Sequence, residues 1–148
     1  MTFREIERKE RQEYFVNYEK VGKLTQELCK TIQNKLQSDL TTEEQIHLSF
    51  DVHFNLVSIH PFYDGNGRTS RLLMNFIQSY FDLPLAIVQK EDKSDYFEAL
   101  EATRKKETLT PFRDFMTQQY CKYLKTEIEN YTTSIKNSSN KGGFTLMF

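Results

Sequence analysis

Little in this sequence interrupts a helix. Its 148 residues include 5 glycines, 3 prolines, 2 cysteines and no tryptophan. Glycine and proline cluster at a few places, which leaves most of the chain free to run as continuous helix. Cys29 and Cys121 are too few and too far apart for a disulfide framework or a thiolate metal site. Both are expected as buried thiols in a reducing cytoplasm. Neither sign of charge prevails, since 20 basic and 21 acidic residues are interspersed and leave a net charge of -1. With no basic stripe, neither nucleic acid nor a membrane surface is indicated as a partner. No stretch has the unbroken apolar length of a bilayer span, and the opening Met1-Thr2-Phe3-Arg4-Glu5 lacks the apolar region of a signal peptide, so an intracellular protein is expected.

The apolar residues that are present follow helical spacing. Val16, Val21, Leu24, Leu28, Ile32 and Leu36 predict an amphipathic helix from about Tyr18 to Gln37. Thr41 followed by Glu44 forms a capping-box pattern and predicts a second helix reaching about Ser58. Its apolar residues, Ile46, Phe50, Phe54, Leu56 and Val57, cover more than one stripe, as in a helix buried on several sides. The dense run from Arg71 to Tyr80 predicts a central third helix, stopped at Asp82-Leu83-Pro84 because proline disfavours helix in the residue before it. A short extended piece from Leu85 to Val88 follows. Asp92 or Ser94 can cap a fourth helix through Leu100, and Thr110-Pro111 opens a fifth that runs to about Ile135. The fold class is thus an all-α bundle with at most a short β piece, one domain over residues 1–135 and a flexible tail over 136–148.

Between the second and third helices lies a segment with the wrong composition for a core: Ile59-His60-Pro61-Phe62-Tyr63-Asp64-Gly65-Asn66-Gly67-Arg68-Thr69-Ser70-Arg71. Gly65 and Gly67 flank Asn66 just before a helix, where a freely bending backbone can turn several N–H groups toward an anion at the positive end of the helix dipole. Arg68 and Arg71 oppose that dipole, which an anionic ligand explains better than stability does. Asp64 supplies a hard oxygen of the kind that holds magnesium together with substrate phosphates. His60, at a helix end, is a candidate general base, because an ordinary imidazole titrates near neutrality. A simple tight turn accounts for any one of these residues but not for their coincidence in one short loop. His53 is expected as a packed histidine and His47 as a surface one. The 12 phenylalanines and 8 tyrosines are expected to fill the core.

Residues His60 to Arg71 match every fixed position of His-Pro-Phe-x-x-Gly-Asn-Gly-Arg-x-x-Arg, and the chain resembles the Fic family on that ground. The likeness extends over roughly Tyr18 to Phe115, taking in His53 and Phe54 upstream, then Leu72 to Asn75 and Ser94 to Leu100 downstream. It implies a helical fold and transfer of AMP from ATP to a Tyr, Thr or Ser hydroxyl of a target protein. His60 would be the base and Asp64 the magnesium ligand. Gly65, Asn66 and Gly67 would form the anion hole, Arg68 and Arg71 would meet the outer phosphates, and Phe62 would pack into the core to anchor the loop.

The likeness also implies features that differ here. Fic sequences usually carry a β-hairpin flap upstream of the first helix, where the stretch Met1 to Phe15 stands in this chain. They often have asparagine where Arg104 stands. Many brake themselves through a glutamate that pairs with the arginine equivalent to Arg71, but Thr126 to Asn130, with Glu129, is one residue short of that pattern. An antitoxin-like partner, or a further N-terminal segment, is the alternative brake. Relatives that transfer UMP or phosphocholine keep a similar site, whereas the phosphorylating Doc branch has lysine where Gly67 stands. A catalytically silent helical interaction module is the remaining alternative.

Overall fold

A computed structural model of the chain describes the backbone of residues 16–141 and the side chains of residues 16–137. Five α-helices account for most of it: α1 (Tyr18–Leu36), α2 (Thr42–Ile59), α3 (Asn66–Tyr80), α4 (Lys93–Lys106) and α5 (Thr110–Lys141), with a 3-10 turn at Lys90–Asp92. No strand occurs among the described residues, and Leu85 to Val88 lie in an unpaired connection. The stretch Met1 to Phe15, where family members carry the flap, and the end of the tail, residues 142–148, lie outside the described residues.

The helix starts follow their caps. Asn17 accepts the Glu19 amide at the head of α1. Thr41 and Glu44 form the full reciprocal box at the head of α2, with the Glu44 carboxylate taking the Thr41 N–H at 2.8 Å. Asp92 precedes α4, but its side chain makes no cap bond there and instead receives Lys122 of α5 at 2.9 Å.

The central position belongs to α2 rather than α3, because α2 is apolar on opposite faces. Leu48, Val52, Leu56 and Ile59 join one core with Leu28 and Ile32 of α1 and Ile77 of α3. Phe50, on another face, joins a second core with Met74, Tyr96, Leu100, Phe112, Met116 and Tyr120 from α3, α4 and α5. Burying each of these large apolar side chains contributes roughly 1.5–3 kcal/mol. In contrast, α3 leaves Leu72, Phe76 and Tyr80 on an exposed face.

Polar bonds tie the helices together where the cores meet. Gln78 of α3 is fully buried; its amide donates to Ser49 of α2 at 3.0 Å and its carbonyl accepts the Ala86 N–H at 2.7 Å. Arg113 of α5 grips Asp51 of α2 with two guanidinium nitrogens, its Nε at 2.7 Å from Oδ1. This carboxylate holds the Arg113 guanidinium above its ordinary pKa.

Both cysteines are exposed, contrary to expectation. Cys29 follows Leu28 and Cys121 follows Tyr120, and each is turned about 100° around its helix from that buried neighbour. His47 is half-buried rather than on the surface.

Candidate active site

The site is built from the end of α2, the start of α3 and the loop between them. Pro61 excludes the right-handed helical conformation at His60. His60 leaves the helix at φ 55 and ψ 55, the left-handed conformation, while its N–H still donates to the Leu56 carbonyl at 3.0 Å. A non-glycine residue in that region is strained by about 1 kcal/mol, a cost that persists where the surroundings fix it. The half-buried His60 is thereby turned off the helix axis at the mouth of the loop.

Side chains brace this loop from within. Asn66, only 3% exposed, accepts the Phe62 N–H at 2.9 Å and donates to the Phe62 carbonyl at 2.6 Å. Its side chain is therefore occupied in shaping the loop, and only its backbone N–H is available to an anion. Phe62 itself is 47% exposed and does not pack into the core. The backbone clamp from Asn66 does the anchoring that the ring was expected to do. Tyr63, beside it, is fully exposed.

Gly65 has φ 83 and opens α3 with no side-chain cap. The first amides of a helix have no intrahelical acceptor, so the backbone N–H groups of Asn66, Gly67 and Arg68 stand at the positive end of α3. A Cβ on Gly67 would meet nothing within 4 Å, so the space beside it is open. No acid lies in the first turn of α3.

Asp64 and Arg68 face each other across the mouth. The Asp64 Oδ1 accepts the Gly65 N–H at 2.6 Å, and Oδ2 receives Arg68 Nη2 at 3.0 Å, with both side chains largely exposed. A single exposed carboxylate beside an anion nest fits magnesium, which is ordinarily held by one or two carboxylates plus substrate phosphates. No cluster of three metal-binding side chains occurs among the described residues.

The loop thus brings Asp64, Gly65, Asn66, Gly67 and Arg68 together, directly after His60. Arg71, one turn further along α3, is exposed and lines a cavity with Tyr96, Phe97, Lys90 and Lys93. Behind that cavity His53 is fully buried; its Nε2 lies 2.8 Å from the Tyr96 hydroxyl and its ring stacks on Phe112 at 5.5 Å. Burial, and then the nearby Arg71 charge, push the His53 pKa down to about 4, so it is a neutral packed ring. Burial raises the Tyr96 hydroxyl to about 12.

Arg104 donates to the Ser58 hydroxyl at 3.4 Å and lies 6.0 Å from the centre of the Phe54 ring. Glu129 is exposed on α5. Sequence reasoning missed the Asn66 clamp and the two lysines. Exposed lysines at a helix start carry no local signal of a site, and their meeting with Arg71 is a tertiary contact.

The sequence model of the Fic/DOC family matches residues 2–78. Protein adenylyltransferase fic-1 of Caenorhabditis elegans is 33% identical over 115 residues, 77% of this chain and 22% of the relative. Protein adenylyltransferase Fic of Nematostella vectensis is 54% identical over 48 residues, 32% of this chain and 11% of the relative. The chain therefore spans about a fifth or less of the length of these curated relatives. Among solved structures, Fic-1 from Caenorhabditis elegans superposes with a TM-score of 0.64 at 27% identity, covering 80% of this chain and 33% of that one. A Fic domain containing signaling protein from Bacteroides thetaiotaomicron gives 0.64 at 25% identity, covering 75% and 46%. With a family match over more than half its length, a helical fold shared with these structures and an intact motif loop, this chain belongs to the Fic/DOC family.

Proposed function

We propose that this chain is a protein adenylyltransferase that moves AMP from ATP to a Tyr, Thr or Ser hydroxyl of a target protein. The observation that carries the reading is the loop itself: His60, held off the end of α2, is followed within one turn of chain by a braced loop and an uncapped helix N-terminus. Two of the relatives above bear the name protein adenylyltransferase.

The α-phosphate would rest against the backbone N–H groups of Asn66, Gly67 and Arg68, where the helix dipole favours negative charge. Arg68 would leave Asp64 for the phosphates, and Arg71 would meet them further out. Asp64 would then hold magnesium, which supplies charge neutralisation on the phosphates. His60 takes the proton of the target hydroxyl as its oxygen bonds to the α-phosphorus. The bond from that phosphorus to the bridging oxygen breaks, and the electron pair leaves with pyrophosphate.

A second reading rests on Arg104. A guanidinium fixed on Phe54 and Ser58 replaces a neutral amide where family members contact the nucleotide, which favours a transferred group other than AMP, such as UMP. Gly67, in place of lysine, speaks against phosphorylation.

The partners in this reading are a hydroxyl-bearing target protein and an antitoxin-like inhibitor that supplies the brake, and the compartment is the cytoplasm. Among the described residues no helix is long and apolar enough to cross a membrane. The test incubates the full chain with magnesium, cell lysate and ATP labelled either at the α- or at the γ-phosphate. The α-label is expected on protein and the γ-label is not. Transfer of the γ-label alone would replace this reading with phosphorylation, and label from UTP in place of ATP would favour the second reading.

A further inference from the structure

One turn past Arg68, between the side of α3 and the start of α4, lies a cavity of about 270 Å³. Three of its lining side chains are cations drawn from separate elements: Arg71 from α3, Lys90 from the 3-10 turn and Lys93 from the first residue of α4. None of its described lining residues is acidic. Two acids, Glu91 and Asp92, stand between the lysines in sequence; neither lines the cavity, and Asp92 is engaged by Lys122 at 2.9 and 3.2 Å. Three like charges around one cavity repel each other, and a multiply charged anion would relieve that repulsion.

The walls suit a fixed site. Tyr96 forms one side, and its hydroxyl is tied to the buried His53. Phe97 forms another, with Lys93 Nζ 5.9 Å from the ring centre. His53 is neutral and adds no charge behind Tyr96, and the charged side chains that line the cavity are the three cations. The cavity also shares Arg71 with the motif loop, so an anion in it lies next in line after one bound at the start of α3.

We propose that Lys90 and Lys93 complete, with Arg71, a subsite for the two outer phosphates of a nucleoside triphosphate. Its place in the reaction rests on the transferase reading above. When the α-phosphorus is attacked, the electron pair of the broken bond stays on the departing pyrophosphate, and the three cations meet that charge. The two lysines thereby select a triphosphate over a monophosphate and stabilise the leaving group.

Isothermal titration of the full chain with pyrophosphate, ATP and AMP tests this without requiring turnover. Both lysines are exposed, so the double variant Lys90→Gln/Lys93→Gln keeps the fold, and a thermal melt checks that it does. The variant is expected to bind pyrophosphate and ATP about tenfold more weakly or worse, as for loss of charge-assisted hydrogen bonds, with AMP unchanged. Lys93→Glu is expected to weaken pyrophosphate further. Equal pyrophosphate affinity in wild type and double variant would overturn the proposal. So would an equal loss for AMP and ATP, which would make the cavity a nucleoside site. The two readings fail separately. A chain that labels protein yet binds pyrophosphate independently of the lysines loses the subsite alone. A lysine-dependent pyrophosphate site in a chain that labels nothing retains the subsite and loses its role in transfer.

Discussion

Replacing Asn66 by alanine removes both bonds that shape the motif loop while leaving its backbone N–H in place. The side chain is almost fully buried and bonds the N–H and the carbonyl of one residue, Phe62, at 2.9 and 2.6 Å. A net hydrogen bond contributes about 1 kcal/mol, and a buried group left without a partner costs about 1–3 kcal/mol. Phe62 is half exposed, so water can reach part of its freed backbone and the cost falls toward the low end. The expected destabilisation is roughly 2–3 kcal/mol, which for a domain of this size lowers Tm by about 5–10 °C. Asn66→Asp keeps the acceptor for the Phe62 N–H but loses the donor, and it sets a negative charge at the anion site. With a carboxylate oxygen set against the Phe62 carbonyl in a buried position, its expected loss of stability is at least that of alanine and its loss of nucleotide affinity larger. Urea denaturation measures the first quantity and calorimetric titration with ATP the second. A Tm within a degree or so of wild type for Asn66→Ala would refute the clamp, since the loop would then hold its shape without it.

Further outcomes follow from the same contacts. Gly65→Ala meets only ordinary contact, 3.5 Å from the Arg68 guanidinium, but forces alanine to φ 83, so a loss of about 1 kcal/mol is expected in urea denaturation. His53, held near pKa 4 when folded, ionises near 6.5 once unfolded. Because the folded value is the lower one, the unfolded chain binds the extra proton as pH falls. Stability is then lost between about pH 6.5 and 4, by roughly 3 kcal/mol from this residue, and the slope should be shallower in His53→Gln. Asp51→Asn leaves the Arg113 guanidinium without its carboxylate between α2 and α5, with an expected cost of roughly 1–2 kcal/mol at this partial exposure, read from Tm.

The periodic apolar residues made α1 and α2 legible nearly to the residue, since Val21 to Leu36 and the Thr41–Glu44 box are local signals whose physics does not depend on the rest of the chain. The helix ends further on were not legible. Sequence reading closes α4 at Leu100, the last apolar residue. The helix continues through Lys106 because Glu101 to Lys106 form helix readily, Lys105 pairs with Glu101 at 2.6 Å, and the left-handed Glu107 supplies the stop. α5 also runs past Ile135 to Lys141, although Asn137 to Asn140 are weak helix formers that pointed to a tail. Which helix lies between two cores is a tertiary fact. Arg71 to Tyr80 is rich in apolar residues, yet Leu72, Phe76 and Tyr80 share a face that no described element covers.

At the site, residue types and spacing marked the loop, His60, Asp64 and the two arginines, because such residues have little use in a core. Spacing could not show that the Asn66 side chain is spent on Phe62, or that Phe62 turns outward. Both depend on where the chain from Pro61 to Gly65 travels in space. The meeting of Arg71 with Lys90 and Lys93 depends in turn on α4 returning beside α3.

The central claim is that His60 takes the proton from a hydroxyl that receives AMP. Mass spectrometry of proteins recovered after incubating the full chain with ATP, magnesium and lysate tests it most directly, with wild type and His60→Ala run in parallel. The account expects the added mass of one AMP on Tyr, Thr or Ser in the wild-type reaction alone. The same modification, to the same extent, with His60→Ala would contradict it.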